Sequence, residues 1–157
     1  MSEYDELLIE AYGGEVFGDT FFGTLADVMS DVAQREKVRM LQRIEALTAS
    51  HLRPLVDEAG LEVDPAPMAA QGLELAGGMA DQSWTGLLEG LRGALPDFLT
   101  KFLRLQEIGG HDDVLADLVA HEQAIDRFAE LELEGRSEEA VGVLHAHLER
   151  SGSALAG

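Results

Sequence analysis

The feature that most constrains the fold is the spacing of apolar residues, which recur every three or four positions along most of the chain. Because an α-helix has 3.6 residues per turn, this spacing gathers the apolar side chains on one helical face. No segment shows the strict alternation of a strand, so the predicted fold class is all-α. The predicted helices cover residues 4–33, 34–59, 83–105, 114–134 and 137–150.

Glycine and proline mark where these helices end. Gly60 and Gly135 each follow an apolar repeat and predict a helix stop. Residues 61–82 are rich in Pro, Gly and Ala and predict a crossover segment with one short helical turn near 68–75. Pro96 is expected to kink or restart the third helix, because proline removes a backbone donor. Residues 151–157 are expected to form a frayed tail.

Length and connectivity predict a single domain, 1–157, since 157 residues suffice for one core. Two long helices, a crossover of roughly twenty residues and a second antiparallel pair describe a four-helix bundle, with an extra short C-terminal helix.

Composition excludes several function classes. The chain has no cysteine, which excludes disulfides, thiolate metal sites and cysteine nucleophiles. A net charge of -19 argues against nucleic acid or an anionic membrane as partner. The acidic N-terminus is unlike a signal peptide and no apolar run approaches the length of a membrane span, so the expected location is cytoplasmic. Phosphate-binding loops and serine elbows are missing from the sequence, and no nucleotide or organic cofactor is indicated.

Three glutamates interrupt the apolar rows of three helices. Glu15, Glu45 and Glu122 each stand where the three-to-four spacing calls for a core residue. A buried carboxylate must take up a proton, pair with a cation or bind a metal. Because the chain has only eleven Lys and Arg, a divalent metal ion is the simplest solution for three converging carboxylates.

The stretch 13–56, which begins "GGEVFGDTFFGTLADVM", resembles the first helix pair of the ferritin-like superfamily. The resemblance rests on Glu15 midway along the first helix and Glu45 one helix later. It implies a four-helix bundle with a carboxylate-bridged di-iron centre. The ligand pattern is degenerate: the family's Glu-x-x-His motif is broken, because Thr48 stands three residues after Glu45 and Ile125 three after Glu122.

Two histidines could complete a metal site. His121 directly precedes Glu122, and His51 lies six residues after Glu45. Carboxylates with one or two imidazoles suit iron, manganese or zinc. The alternative for each histidine is a partly buried ring that hydrogen-bonds to backbone or carboxylate. His111, in the turn before the fourth helix, is expected to act as a cap.

The glycines near Glu15 also allow two interpretations. Gly14 and Gly18 lie one turn apart and could let helix backbones approach closely. Alternatively, Gly18 leaves room beside the Glu15 carboxylate for water, dioxygen or a small ligand.

Two functional hypotheses follow. The first is a ferritin-like metal-binding protein of oxidase or oxygenase type, with iron or manganese on Glu15, Glu45 and Glu122 and with His51 or His121 completing the site. The second is a non-catalytic helical oligomer or partner-binding module whose metal site has decayed. A homo-oligomer, with a dimer favoured, is expected in either case.

Overall fold

The computed structural model describes residues 1–110 and 112–155. Within that part of the chain the secondary structure consists of α-helices without strands, which confirms the all-α fold class. The helices are α1 (Glu3–Val28), α2 (Val32–Glu58), α3 (Ala66–Gly78), α4 (Trp84–Ile108), α5 (Asp113–Leu133) and α6 (Ser137–Leu155).

The chain divides into two compact units, Met1–Asp81 and Gln82–Gly157. In the first unit α1 packs against both α2 and α3. In the second unit α5 packs against both α4 and α6. Each unit is therefore a small helical bundle built on one central helix. The single domain and the four-helix bundle anticipated from the sequence remain predictions.

The boundary between the first two helices differs from the prediction. α1 ends at Val28 and α2 begins at Val32, so residues 32 and 33 belong to the second helix. The reason is Asp31, whose carboxylate accepts a hydrogen bond from the Gln34 amide at 2.9 Å and caps α2. Val32, which the predicted range 4–33 places in the first helix, is 60% exposed beside this break.

The predicted crossover contains a true helix rather than one turn. α3 spans thirteen residues and packs on α1. Its Gly72 lies directly against the α1 backbone: a Cβ at this position would be 2.5 Å from the Phe17 carbonyl oxygen. Glycine thus lets a short helix of low polarity rest on its neighbour at close range.

The predicted glycine stops are confirmed, and both have the same geometry. Gly60 and Gly135 adopt positive φ angles of 67° and 76°. After Gly135, the Arg136 amide donates to the Leu131 carbonyl at 2.9 Å, as in a Schellman motif. This conformation favours glycine because a Cβ would clash there.

The second unit follows the predicted helices with small differences. Ser83 caps α4 by accepting from the Gly86 amide at 3.0 Å, and α4 continues through Pro96 without a restart. α6 begins at Ser137 and extends to Leu155, so residues 151–155 are helical rather than frayed. The predicted cap at His111 and the last two residues of the tail lie outside the described residues.

Candidate metal centre

All three glutamates predicted to interrupt the core are buried. The exposed fractions are 1% for Glu15, 7% for Glu45 and 5% for Glu122. The ring of His121 is fully buried, and His51 is half-buried on α2. Helical spacing therefore located four buried polar side chains correctly, while ligation by His51 stays a prediction.

In the first unit Glu15 of α1 and Glu45 of α2 meet across the helix interface. One carboxylate oxygen of each lies within 4.8 Å of the other. Two carboxylates this close and this well shielded from water repel one another unless a proton or a cation lies with them. The pair therefore supplies two oxygen ligands at a spacing suited to a divalent cation.

Gly18 explains how Glu45 reaches this position. A Cβ added to Gly18 would lie 2.7 Å from the Glu45 Cδ atom and 3.0 Å from its Oε1. The space beside Glu15 that the sequence suggested for a small ligand is therefore filled by the Glu45 side chain. Gly18 therefore leaves the space that the Glu45 carboxylate fills, and any larger residue at position 18 would displace that carboxylate.

A polar network on the same helix interface fixes the register of α2 on α1. The Gln42 side-chain amide donates to Asp19 at 3.1 Å and lies over Gly23, where a Cβ would be 2.7 Å from its nitrogen. Arg39 donates to the Gly23 carbonyl and forms an ion pair with Asp27. These contacts hold the two helices in the alignment that brings the buried carboxylates together.

Thr48 occupies the position where the ferritin-like pattern has histidine. It is 1% exposed, and its hydroxyl donates to the Ile44 carbonyl at 2.8 Å. The hydroxyl proton is thus directed at its own helix, as is common for a threonine in a helix interior. At this position the chain therefore departs from the ferritin-like pattern, because a hydroxyl that is hydrogen-bonded to its own helix replaces an imidazole.

In the second unit His121 and Glu122 form another candidate ligand pair. The His121 Nδ1 atom contacts the Leu118 carbonyl oxygen, and its Nε2 lies 3.2 Å from Oε1 of Glu122. The Phe102 ring packs against the imidazole, with 5.9 Å between centroids. The histidine is therefore held by backbone on one side and by an aromatic ring on its face.

The contact with Leu118 decides which nitrogen carries the hydrogen. A carbonyl oxygen only accepts, so Nδ1 of His121 is the donor, and in the neutral ring Nε2 keeps its lone pair. That lone pair and the Glu122 oxygen need a shared cation, either a proton or a metal ion. Metal-binding histidines commonly donate their other N–H to a carbonyl in this way. Two ligands at about 2.1 Å from one ion lie about 3.0–3.4 Å apart, which the observed 3.2 Å matches.

Two further buried residues with ionisable side chains, Glu132 and His147, were missed by the sequence patterns. Glu132 is 8% exposed and accepts hydrogen bonds from the Trp84 indole at 3.3 Å and the Ser137 hydroxyl at 3.1 Å. His147 is 1% exposed, and its Nε2 is 4.0 Å from Oδ1 of Asp117. Trp84 is half-buried, and the need of its indole N–H for an acceptor is a signal that could have pointed towards Glu132.

Comparison of the chain with protein-family models, with curated proteins and with solved structures gave no match in any of the three. None of the helices in residues 1–110 and 112–155 has both the length and the apolar character required to cross a membrane. The function of this chain is therefore inferred from the side chains described above.

Proposed function

We propose that this chain is a ferritin-like metal-binding protein that holds a divalent transition metal, iron or manganese, through buried glutamates. The observation that carries the proposal is the Glu15–Glu45 pair, in which two buried carboxylates lie within 4.8 Å of one another. His121 and Glu122 form the second ligand pair of the proposal.

The donor set suits these metals. Carboxylate oxygens with an imidazole nitrogen are ligands for iron, manganese and zinc, and the absence of cysteine removes the thiolates that softer metals favour. Iron or manganese, when bound, would supply redox chemistry of the oxidase or oxygenase type. The chain's own contribution is to keep the carboxylates buried, close together and aligned by the α1–α2 contacts.

Metal content measured after reconstitution tests the proposal. The wild-type protein, incubated with Fe(II) without oxygen or with Mn(II) and then desalted, is expected to retain metal in a whole-number ratio by elemental analysis. Glu45→Gln is nearly isosteric but removes the charge, and we expect its affinity to fall at least about tenfold. His121→Ala and Glu122→Gln test the second pair in the same assay, and His51→Ala tests the remaining predicted ligand.

Glu36→Gln is the matched control, because Glu36 is an exposed carboxylate on the same helix as Glu45. It changes the net charge equally and is expected to leave metal retention unchanged. Equal losses in the two variants would show that the ions only screen an acidic surface. Absence of retained metal in the wild type would reject the proposal.

Gly18→Ala provides a test that leaves every ligand in place. The added Cβ would contact the Glu45 carboxylate, so we expect weaker metal binding although both glutamates remain. Affinity is measured by equilibrium dialysis, with circular dichroism to check helix content. Gly142→Ala, where the structure has open space around the Cβ position, is the control and is expected to bind as the wild type does. Unchanged affinity in Gly18→Ala would contradict the assigned role of the Glu45 carboxylate.

A non-catalytic oligomer is the second candidate, and two observations favour it. Leu73 and Leu75 of α3 are 56% and 47% exposed, and Thr48 replaces a ligand of the ferritin-like pattern. A protein that retains no metal and has twice the chain mass by light scattering would support this candidate over the first.

A further inference from the structure

Helix α3 is attached to the first unit by less buried surface than α2 is. The buried residues of α3 are Gly72 and Ala76, whereas α2 has eight buried residues, most of them large and apolar. Met68 and Ala69 are half-buried. Hydrophobic stabilisation is proportional to the apolar surface removed from water, and glycine and alanine bury little of it. α3 is therefore the helix of this unit with the weakest attachment.

Polar contacts do not strengthen this attachment. Among the residues that the structure describes, the side chains of 66–78 form neither a hydrogen bond nor an ion pair. α2, by contrast, is joined to α1 by hydrogen bonds from Gln42 to Asp19 and from Arg39 to the Gly23 carbonyl. The contact between α1 and α3 therefore depends on apolar packing alone.

The sequence of α3 does not favour a helix away from α1. The helix has thirteen residues, and isolated helices of this length are marginal in water. Three of the thirteen are glycines, Gly72, Gly77 and Gly78, and glycine has a low helix propensity. Separation of α3 from α1 and loss of its helical structure are therefore expected to occur together.

The stretch of α1 beneath α3 is aromatic. The Phe17 carbonyl and the Phe21 amide lie directly under Gly72, and the two phenyl rings stack with 5.9 Å between centroids. Glu15 stands two residues before Phe17, about 200° away around the helix axis, so it lies on the other side of α1. The ligand pair of the first unit is therefore outside the area that α3 covers.

We propose that α3 is a cover that opens on its own, by local unfolding of residues 66–78, and uncovers α1 at Phe17 and Phe21. In the open form α1 and α2 stay folded and keep the Glu15–Glu45 pair together. Segments with few buried apolar contacts open at a lower free energy than the rest of a protein, and lids are drawn from such segments. The inference goes beyond metal binding and does not depend on it.

Hydrogen exchange followed by mass spectrometry tests the opening on the metal-free full chain. After correction for intrinsic rates, we expect the α3 amides to exchange at least about a hundredfold faster than the amides of 38–52 in α2. Low urea concentrations are expected to accelerate α2 exchange more than α3 exchange, because a local opening exposes less surface than global unfolding. Equal rates with equal urea dependence would reject the inference.

A disulfide that holds α3 closed tests the same opening directly. The chain has no cysteine, so Gly13→Cys combined with Met68→Cys introduces the only two thiols. A Cβ at position 13 would lie 3.1 Å from Cγ of Met68, where the second sulfur would stand, and a disulfide needs about 3 Å there. Oxidation is expected to slow α3 exchange to the rate of the α2 amides, and the reduced double variant is the matched control. Failure of the disulfide to form, or equally fast α3 exchange in both forms, would overturn the inference.

Gly72→Ala provides a test in the opposite direction. The added Cβ would crowd the α1 backbone, so we expect α3 exchange to rise at least about tenfold while α2 exchange stays unchanged. Binding of the dye ANS, which reports exposed apolar surface, is expected to rise in Gly72→Ala and to stay low in the oxidised disulfide variant. Gly77→Ala, where the Cβ has open space, is the control and is expected to exchange no faster than the wild type.

An equal rise in α2 and α3 exchange in Gly72→Ala would show that α3 belongs to one cooperative unit with α2, and would contradict the proposed cover. Because no metal is present in these assays, a failure here leaves the metal proposal standing, and the reverse also holds.

Discussion

The Gly72→Ala variant is expected to lose about 1–3 kcal/mol of unfolding free energy, the range measured for overpacked interiors. The added Cβ would lie 2.5 Å from the Phe17 carbonyl oxygen and 3.1 Å from the Phe21 amide nitrogen. Both atoms belong to the α1 backbone and cannot rotate away as a flexible side chain can. The added carbon therefore forces α3 away from α1. Urea unfolding followed by circular dichroism measures the change.

Gly77→Ala is the matched control for this prediction. Gly77 lies on the same helix, and a Cβ there has open space around it. Alanine is the better helix former, so we expect this variant to gain about 0.5 kcal/mol or less near the helix end. If Gly72→Ala were as stable as Gly77→Ala, the close approach of α3 to α1 would be wrong.

The second large effect is expected when metal is added to the native protein. A ligand that binds only the folded state at a hundred times its Kd stabilises it by about 2.7 kcal/mol. For a chain of this length that corresponds to a rise in Tm of about 5–11 °C. We expect this rise for the wild type with Mn(II), and for Fe(II) under anaerobic conditions, in differential scanning calorimetry.

Glu45→Gln is expected to show little of that rise, because the amide cannot replace the charged ligand. Mg(II) is the second control, since it screens surface charge but rarely uses an all-protein site. A Tm rise of equal size in Glu45→Gln, or with Mg(II) in the wild type, would mean that the ions stabilise the chain by screening its net charge of -19.

The Gly72→Ala prediction and the metal-binding prediction test different parts of the first unit. Gly72 controls how α3 rests on α1, whereas Glu45 controls the ligand pair between α1 and α2. A Gly72→Ala protein that is less stable but still gains Tm with metal would separate packing from ligation. Since α3 provides neither glutamate of the pair, we expect this separation.

Helix positions were predictable where one local signal was sufficient. Gly60 and Gly135 ended their helices as expected because positive φ is a property of a single residue and its neighbours. Ser83 capped α4 for an equally local reason. The break between the first two helices was predicted after residue 33 instead of at residues 29–31, because the apolar repeat continues across it. An aspartate inside such a repeat is indistinguishable from an exposed helical residue.

Burial was predictable from periodicity, except near helix ends. Glu15, Glu45 and Glu122 were placed in the interior correctly, since helix geometry dictates which residues share a face. At the end of α5 apolar character and burial no longer agree: Leu133 is 37% exposed, whereas its neighbour Glu132 is buried. There the Trp84 indole and the Ser137 hydroxyl donate hydrogen bonds to Glu132 and determine that this side chain turns inward. Neither partner belongs to α5, so the periodicity of that helix does not reveal the contact.

The sequence by itself determined the all-α class, the stops at Gly60 and Gly135 and the burial of three glutamates, because these depend on residues a few positions apart. Only the tertiary structure decided that the Glu45 side chain fills the space beside Gly18 and that Gly72 lets α3 pack closely on α1. Those facts depend on the register between helices. Register arises from side-chain contacts between segments far apart in the chain, such as the hydrogen bond from Gln42 to Asp19, and such contacts leave no periodic trace in one sequence.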